Sequence, residues 1–198
     1  MNPRRLQILD AAATLFNEKG FAQTSVDEVI HAASLSGKSH FYHYFKSKEE
    51  LGLEVIGRQF ELMAEKGAAI LREPSIDALE RLNLFIDSVV ALQVESGSKC
   101  GSPFGMLGAE MAERDEGFRL RIALSFREWI EQIQSLLESV RDQLTDDAEP
   151  QRLARFIVAT LEGATQIARM KRDVSVIHGI ALDLKRFIAS QHRRKVVG

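Results

Sequence analysis

Residues 24–53, TSVDEVIHAASLSGKSHFYHYFKSKEELGL, constrain the fold of this chain more than any other stretch. They form two short helical patterns joined by a tight polar turn, with a third capped helix directly after. Thr24 or Ser25 can cap a helix over Val26–Ala33, because a hydroxyl there accepts from a free first-turn N–H. Asp27 and Glu28 sit favourably in the positive first turn of that helix. Val26, Val29, Ile30 and Ala33 share one apolar face at i, i+3, i+4, i+7 spacing. Ser34–Ser36 interrupts the pattern, and a second short helix carries Ser39, His40, Tyr42 and His43. These hydroxyl, imidazole and phenol groups crowd a segment too short to need them for folding. A helix-turn-helix that reads duplex DNA needs a second helix of this kind, so the stretch predicts a DNA-binding protein.

With 198 residues the chain can bury a sizeable core, as one large domain or as a small domain packed on a larger one. A content of 45% hydrophobic and 27% charged residues belongs to a globular chain and not to a disordered one. Four prolines and a near-absence of alternating β-branched segments predict an all-α fold. A single cysteine excludes an internal disulfide framework and suits a reducing cytoplasm. Arg4 and Arg5 precede an apolar stretch, as in a signal peptide, but Gln7 and Asp10 interrupt it and helical periodicity continues. This segment therefore reads as the first helix. No apolar run approaches the roughly 20 residues that span a bilayer, so a cytoplasmic protein without a membrane partner is expected. The net charge of −2 argues against general affinity for nucleic acid, and a DNA-binding surface has to be local. Residues 1–48 carry six Lys/Arg against four Asp/Glu, a net of +2, which leaves −4 for the rest. That asymmetry favours an N-terminal DNA-binding domain.

About nine helices are expected. The first runs from Arg4 to Lys19 with Leu6, Leu9, Ala13 and Phe16 on one face, and Gly20 stops it. Ser47-Lys48-Glu49-Glu50 is a capping box that opens helix 4, which continues to about Lys66. Ser75, after Pro74, can cap a helix over Ile76–Glu95. Ser96–Pro103 is a Gly/Ser-rich loop, and Ser102-Pro103 opens a helix to about Glu113. A long helix from about Asp115 to Leu144 follows, and two more cover about Gln151–Lys171 and Ser175–Gln191. The division expected is a helix-turn-helix domain over 1–48 and a helical sensing and dimerisation domain over 49–198.

Four local motifs resemble the tetracycline-repressor (TetR) family of transcriptional regulators. They are Phe16 with Lys19-Gly20-Phe21, then Thr24-Ser25-Val26-Asp27-Glu28-Val29, then Phe41-Tyr42-His43-Tyr44-Phe45, and then Lys46-Ser47-Lys48-Glu49-Glu50-Leu51. Two departures stand out. The stretch between Ala33 and Phe41 is one residue longer than the family's usual turn, and Ser34 stands where glycine is commoner. The segment Gly101–Ala112 also resembles a loop and helix of some members, in which cysteine often precedes the proline that Ser102 precedes here. The resemblance implies a homodimer joined by the last two helices and an effector-sensing C-terminal domain. It also implies that Thr24, Tyr42 and Lys48 touch the DNA backbone.

Phosphate contacts supply affinity and base edges supply specificity. Lys46 and Lys48 flank the start of helix 4, where cations and free N–H groups can face a phosphate. Gly37, Lys38, Ser39 and His40 open the recognition helix and are candidates for base edges or nearby phosphates. With Thr24, Ser25, Tyr42 and His43 they complete the candidate DNA-binding set. For His40 and His43 the alternative is a partner inside the domain, and Phe41 and Phe45 are assigned to packing. No catalytic or metal site is expected. Gly37-Lys38-Ser39 matches the end of a phosphate-binding loop, but Ala32 stands where its first glycine is required. His40 and His43 have helical metal spacing without a third ligand nearby. Nothing points to a cofactor.

Cys100, beside Lys99 in a Gly/Ser loop, is a candidate redox or electrophile sensor, the alternative being a thiol without function. For an unidentified small-molecule effector, Phe104, Leu107, Met111, Phe126, Trp129 and Ile133 are candidate pocket walls, with Glu162 and Gln166 as polar contacts. Glu110 and Glu113 read as solvated helix faces. For dimerisation, one stripe carries Leu153, Ile157, Leu161, Ala164 and Ala168, and a second carries Ile177, Ile180, Leu184 and Phe187. The leading expectation is a repressor released from a palindromic operator in duplex DNA by its effector. A DNA-binding regulator controlled by a protein partner or oxidation is the second reading, and an all-α enzyme with a vestigial helix-turn-helix is the third.

Overall fold

A computed structural model of the chain describes residues 2–95, 110–113 and 115–193. All regular structure among them is helical: α1 (Pro3–Lys19), α2 (Val26–Ala32), α3 (Lys38–Tyr44), α4 (Lys48–Leu71), α5 (Ala78–Glu95), α6 (Glu116–Glu138), α7 (Pro150–Lys171) and α8 (Ser175–Ser190). A 3₁₀ turn over Arg141–Gln143 and an isolated bridge between Leu144 and His192 complete it. The fold is all-α, as the sequence predicts. Glu110 and Met111 are helical, but most of the helix expected over Pro103–Glu113 lies outside the described residues. No described helix is long and apolar enough to cross a membrane.

The chain divides into two compact units, Met1–Leu62 with Ser102–Leu124, and Met63–Gly101 with Ser125–Gly198. The boundary expected at residue 48 falls inside the first unit, which keeps the opening turns of α4 and takes residues back from after the Gly/Ser-rich loop.

In the first unit Asn2 caps α1 by accepting from the Arg4 N–H at 2.9 Å, with Pro3 in the first turn where a missing N–H costs nothing. Ile8, Leu9, Ala12, Ala13 and Phe16 form its buried face. Phe21 packs its ring 5.1 Å from that of Phe16 and 5.6 Å from that of Phe118 on α6, centroid to centroid. Gly52 on α4 makes this approach possible, because a Cβ there would meet both Phe21 and Phe118 carbons at 2.7 Å. Val29, Phe41, Phe45, Leu51, Val55 and Ile56 are buried in the same unit.

The second unit is built on one apolar cluster drawn from α5, α6, α7 and α8, with Leu82, Ile86, Ile133, Leu137, Ile157, Leu161, Ala168, Ile177 and Leu184 among its members. Three element ends differ from expectation. Asp77, and not Ser75, caps α5, because its carboxylate accepts from the Leu79 N–H at 2.9 Å while Ser75 bonds Glu73 instead. α4 runs on to Leu71, past the expected Lys66. α6 stops at Glu138, well short of Leu144, where the Ser139 hydroxyl donates to the Leu136 carbonyl and the chain tightens into the 3₁₀ turn.

A larger correction concerns dimerisation. Leu153, Ile157, Leu161, Ala164 and Ala168 are all buried in the chain's own core, as are Ile177 and Leu184. That stripe has no surface to offer a partner. The opposite side of α7 presents Phe156, Gly163, Ile167 and Met170, and α8 presents Leu182 and Phe187. The Phe156 and Phe187 rings meet edge-on at 5.0 Å, and Met170 is 83% exposed.

Candidate nucleic-acid interface

Local chemistry shapes each turn of the helix-turn-helix. Ser25 is the cap of α2, and its capping box is complete: Oγ accepts from the Glu28 N–H at 3.2 Å and the Glu28 carboxylate accepts from the Ser25 N–H at 2.8 Å. The same carboxylate pairs with Lys19 at 2.6 Å. Lys19 first, and then the Ser25 N–H and hydroxyl, hold the Glu28 carboxyl down at about 2.

The end of α2 is a Schellman motif, in which Leu35 N–H donates to the Ile30 carbonyl at 2.9 Å and Ser34 N–H to the His31 carbonyl at 3.0 Å. The motif requires a left-handed residue, and Ser34 supplies it at φ +49°. A side chain in that region costs about 1–2 kcal/mol, which glycine avoids at some expense in chain entropy. Ser34→Gly is therefore expected to raise the melting midpoint of the first unit, by the equivalent of about 1 kcal/mol. A midpoint that stays put or falls in a calorimetric scan would refute the strain.

Gly37 then leads into α3, where Phe41 on its inward side and Phe45 just past its end are both essentially inaccessible. The residues assigned to packing do pack. Lys38, Ser39, Tyr42 and His43 are exposed and follow i, i+1, i+4, i+5 spacing, which places them on one side of α3, and Lys46 is exposed just past its end. Lys38 also pairs with Asp27 at 3.2 Å. Half-buried His40 turns to Ser36, with Nδ1 and Oγ 3.2 Å apart, so it has the partner inside the domain that the sequence left open.

Two expected backbone contacts occupy other positions. Thr24 is 1% exposed and its hydroxyl donates to the Gly20 carbonyl at 2.8 Å, so it does not reach the surface. The Lys48 ammonium donates to the Phe21 and Thr24 carbonyls at 3.0 and 3.1 Å and lies over the Phe21 ring. Its main contacts therefore brace the α1–α2 turn. At α4 the Ser47 hydroxyl accepts from the Glu50 N–H at 3.1 Å, but Glu50 reaches back to the Lys46 N–H at 2.6 Å and not to Ser47.

Glu110 was expected on a solvated face, and the structure places it elsewhere. Its carboxylate accepts from the Phe21 and Ala22 N–H groups. No local pattern could have signalled a bond across about 89 residues of chain.

The expected effector walls are only partly among the described residues. Cys100, Phe104 and Leu107 lie outside the described residues. Met111 is buried in the first unit, whereas Phe126, Trp129 and Ile133 belong to the second. There Ile133 is fully buried, and Trp129 meets Phe85 edge-on at 5.9 Å. Gln166 donates to Glu162 at 3.2 Å. A hollow of about 550 Å³ in the second unit is lined by Leu71, Arg72, Arg81, Glu128, Glu131, Gln132, Ser135, Leu136 and Ser139. Among the described residues no group of three or more His, Cys, Asp or Glu is placed to hold a metal ion.

The geometry of residues 8–55 coincides with a match to the family model for bacterial regulatory proteins of the tetR family, and residues 78–182 match the C-terminal domain of LmrA/YxaF-like transcriptional regulators. The chain belongs to the TetR family. It is a helix-turn-helix transcriptional regulator and not an enzyme. The transcriptional regulator AcuR of Cereibacter sphaeroides is 27% identical over 86% of this chain and 78% of its own length. The transcriptional repressor DhaR of a Mycobacterium species is 25% identical over 85% of this chain and 83% of its own. The crystal structure of a TetR regulatory protein from Rhodobacter sphaeroides superposes with a TM-score of 0.85 at 26% identity, covering 93% of this chain and 98% of that one. The TetR-family resemblance of the four short motifs thus extends along most of the chain.

Proposed function

We propose that this regulator is a homodimeric repressor that holds a palindromic operator until a small-molecule effector, bound in its second unit, releases it. The observation that carries the DNA-reading part is the exposed side of α3. Lys38, Ser39, Tyr42 and His43 project from a helix anchored underneath by Phe41 and Phe45, with Lys46 exposed just past its end. Ser25 and Gly37 are the candidate donors at the two helix starts, with Lys48 and Thr24 acting as braces behind them. The outward apolar side of α7 and α8 supports self-association. A two-fold dimer would set two recognition helices about 34–36 Å apart, one turn of duplex. The repressor named among its relatives supports that sign of control. Effector and operator then oppose one another by linkage. A protein that reads chromosomal DNA works in the cytoplasm.

Salt titration of binding to the chain's own upstream region tests the reading. Affinity should fall steeply with salt, and Lys46→Ala should reduce the log–log slope by about 0.9, the share of one phosphate contact. The DNA-reading role fails if the wild-type chain has no salt-dependent affinity for that region.

A further inference from the structure

The α1–α2 turn is gripped on both of its polar sides. Lys48 takes its carbonyl oxygens at Phe21 and Thr24. Glu110 takes its amides, with one carboxylate oxygen 2.8 Å from the Phe21 nitrogen and the other 2.5 Å from the Ala22 nitrogen. Successive backbone N–H groups form a concavity suited to an anion, and here a carboxylate of the same chain fills it. Gly20 makes the room: at φ +90° it carries no side chain, and a Cβ there would stand 3.2 Å from the Glu110 carboxylate. Just beyond Glu110, Phe118 of α6 packs against Phe21 in the same turn. The turn leads directly into Ser25, the cap from which α2 starts, and α2 leads into α3.

We propose that Glu110 is a positioning residue for DNA recognition. By gripping two consecutive amides of the α1–α2 turn it sets where α2 begins, and it ties residues 115–122, which lie outside the helix-turn-helix, to the state of the DNA-reading helices. The coupling is reciprocal, so duplex bound at α3 must tighten residues 115–122, and loosening Glu110 must weaken duplex binding. This rests on the DNA-reading role above but is independent of any effector.

Amide hydrogen exchange on the full-length chain tests it, with and without a duplex of its own upstream region. Wild type is compared with Glu110→Ala, with the near-isosteric Glu110→Gln, which keeps one acceptor oxygen, and with Glu113→Gln as an exposed control. Wild type and the control should show slow exchange at Phe21 and Ala22, and added duplex should slow exchange across 115–122. Glu110→Ala should exchange at least about tenfold faster at Phe21 and Ala22 and bind duplex about tenfold more weakly, the worth of a charge-assisted bond pair at a partly exposed site. Protection of Phe41 and Phe45 should be unchanged, and duplex should no longer slow residues 115–122. Glu110→Gln should fall between the two. Wild-type affinity together with wild-type tightening of 115–122 in both variants would overturn the proposal. So would a loss of affinity that merely tracks lost protection at Phe41 and Phe45. A wild-type chain that does not bind duplex overturns the DNA-reading role itself, and is told apart because it appears before any substitution is made.

Discussion

Phe41→Ala should unfold the helix-turn-helix, whereas Tyr42→Ala, one position on, should leave it folded. Phe41 is 0% exposed and stacks near Phe45 with ring centroids 6.0 Å apart. Emptying such a site costs about 3–5 kcal/mol, through lost transfer energy and the cavity left behind. Whole domains are stable by only about 5–15 kcal/mol, so most of the margin of the first unit would vanish. Tyr42 is 52% exposed, and its edge-on ring contact with Phe41 is worth about 1 kcal/mol. Thermal melting followed by circular dichroism should therefore show an early transition for Phe41→Ala and a nearly unchanged one for Tyr42→Ala. Duplex binding should be lost in the first variant and reduced about tenfold in the second, as for one lost backbone contact. Equal melting of the two variants would mean that α3 is not seated as described.

The double substitution Ile167→Glu with Met170→Glu should turn a dimer into a folded monomer. Both residues lie on the outward side of α7, 47% and 83% exposed, in line with Phe156 and Gly163. Two carboxylates there meet water in the monomer at little cost, but in an interface they would be desolvated against each other across the two-fold axis. Operator affinity should fall by a factor of about 100 or more, because the second half-site would no longer be delivered at high effective concentration. Ile157→Glu, on the buried side of the same helix, should instead cost the fold. Sedimentation velocity with circular dichroism separates these outcomes. A double variant that remains dimeric would place the interface elsewhere.

Much of the DNA-reading unit was legible because its signals are local. The hydroxyl cap at Thr24 or Ser25, the Ser47 cap and the alternation of Phe41 and Phe45 with exposed polar neighbours all act within one or two helical turns. Ser34 was legible too, as a residue standing where glycine is commoner, and its left-handed φ is the physical meaning of that departure. Which side of α7 stays outward was not. α7 carries two apolar stripes of the same helical period, Leu153-Ile157-Leu161-Ala164-Ala168 and Phe156-Gly163-Ile167-Met170, and periodicity alone does not say which one the chain keeps for itself. Lys48 and Glu110 were misplaced for a related reason. A charged side chain looks the same in sequence whether it faces solvent, a phosphate or a backbone turn.

The residues from Thr24 to Leu53 determined by themselves that this chain builds a helix-turn-helix, since capping, turn chemistry and spacing need nothing beyond a few neighbours. Only the tertiary structure decided how that motif is held. The polar groups of the α1–α2 turn must find partners once its Phe21 is buried, and those partners, Lys48 and Glu110, are 24 to 89 residues away along the chain. Bonds of that reach are chosen by packing, because only the folded core brings such distant side chains to one turn.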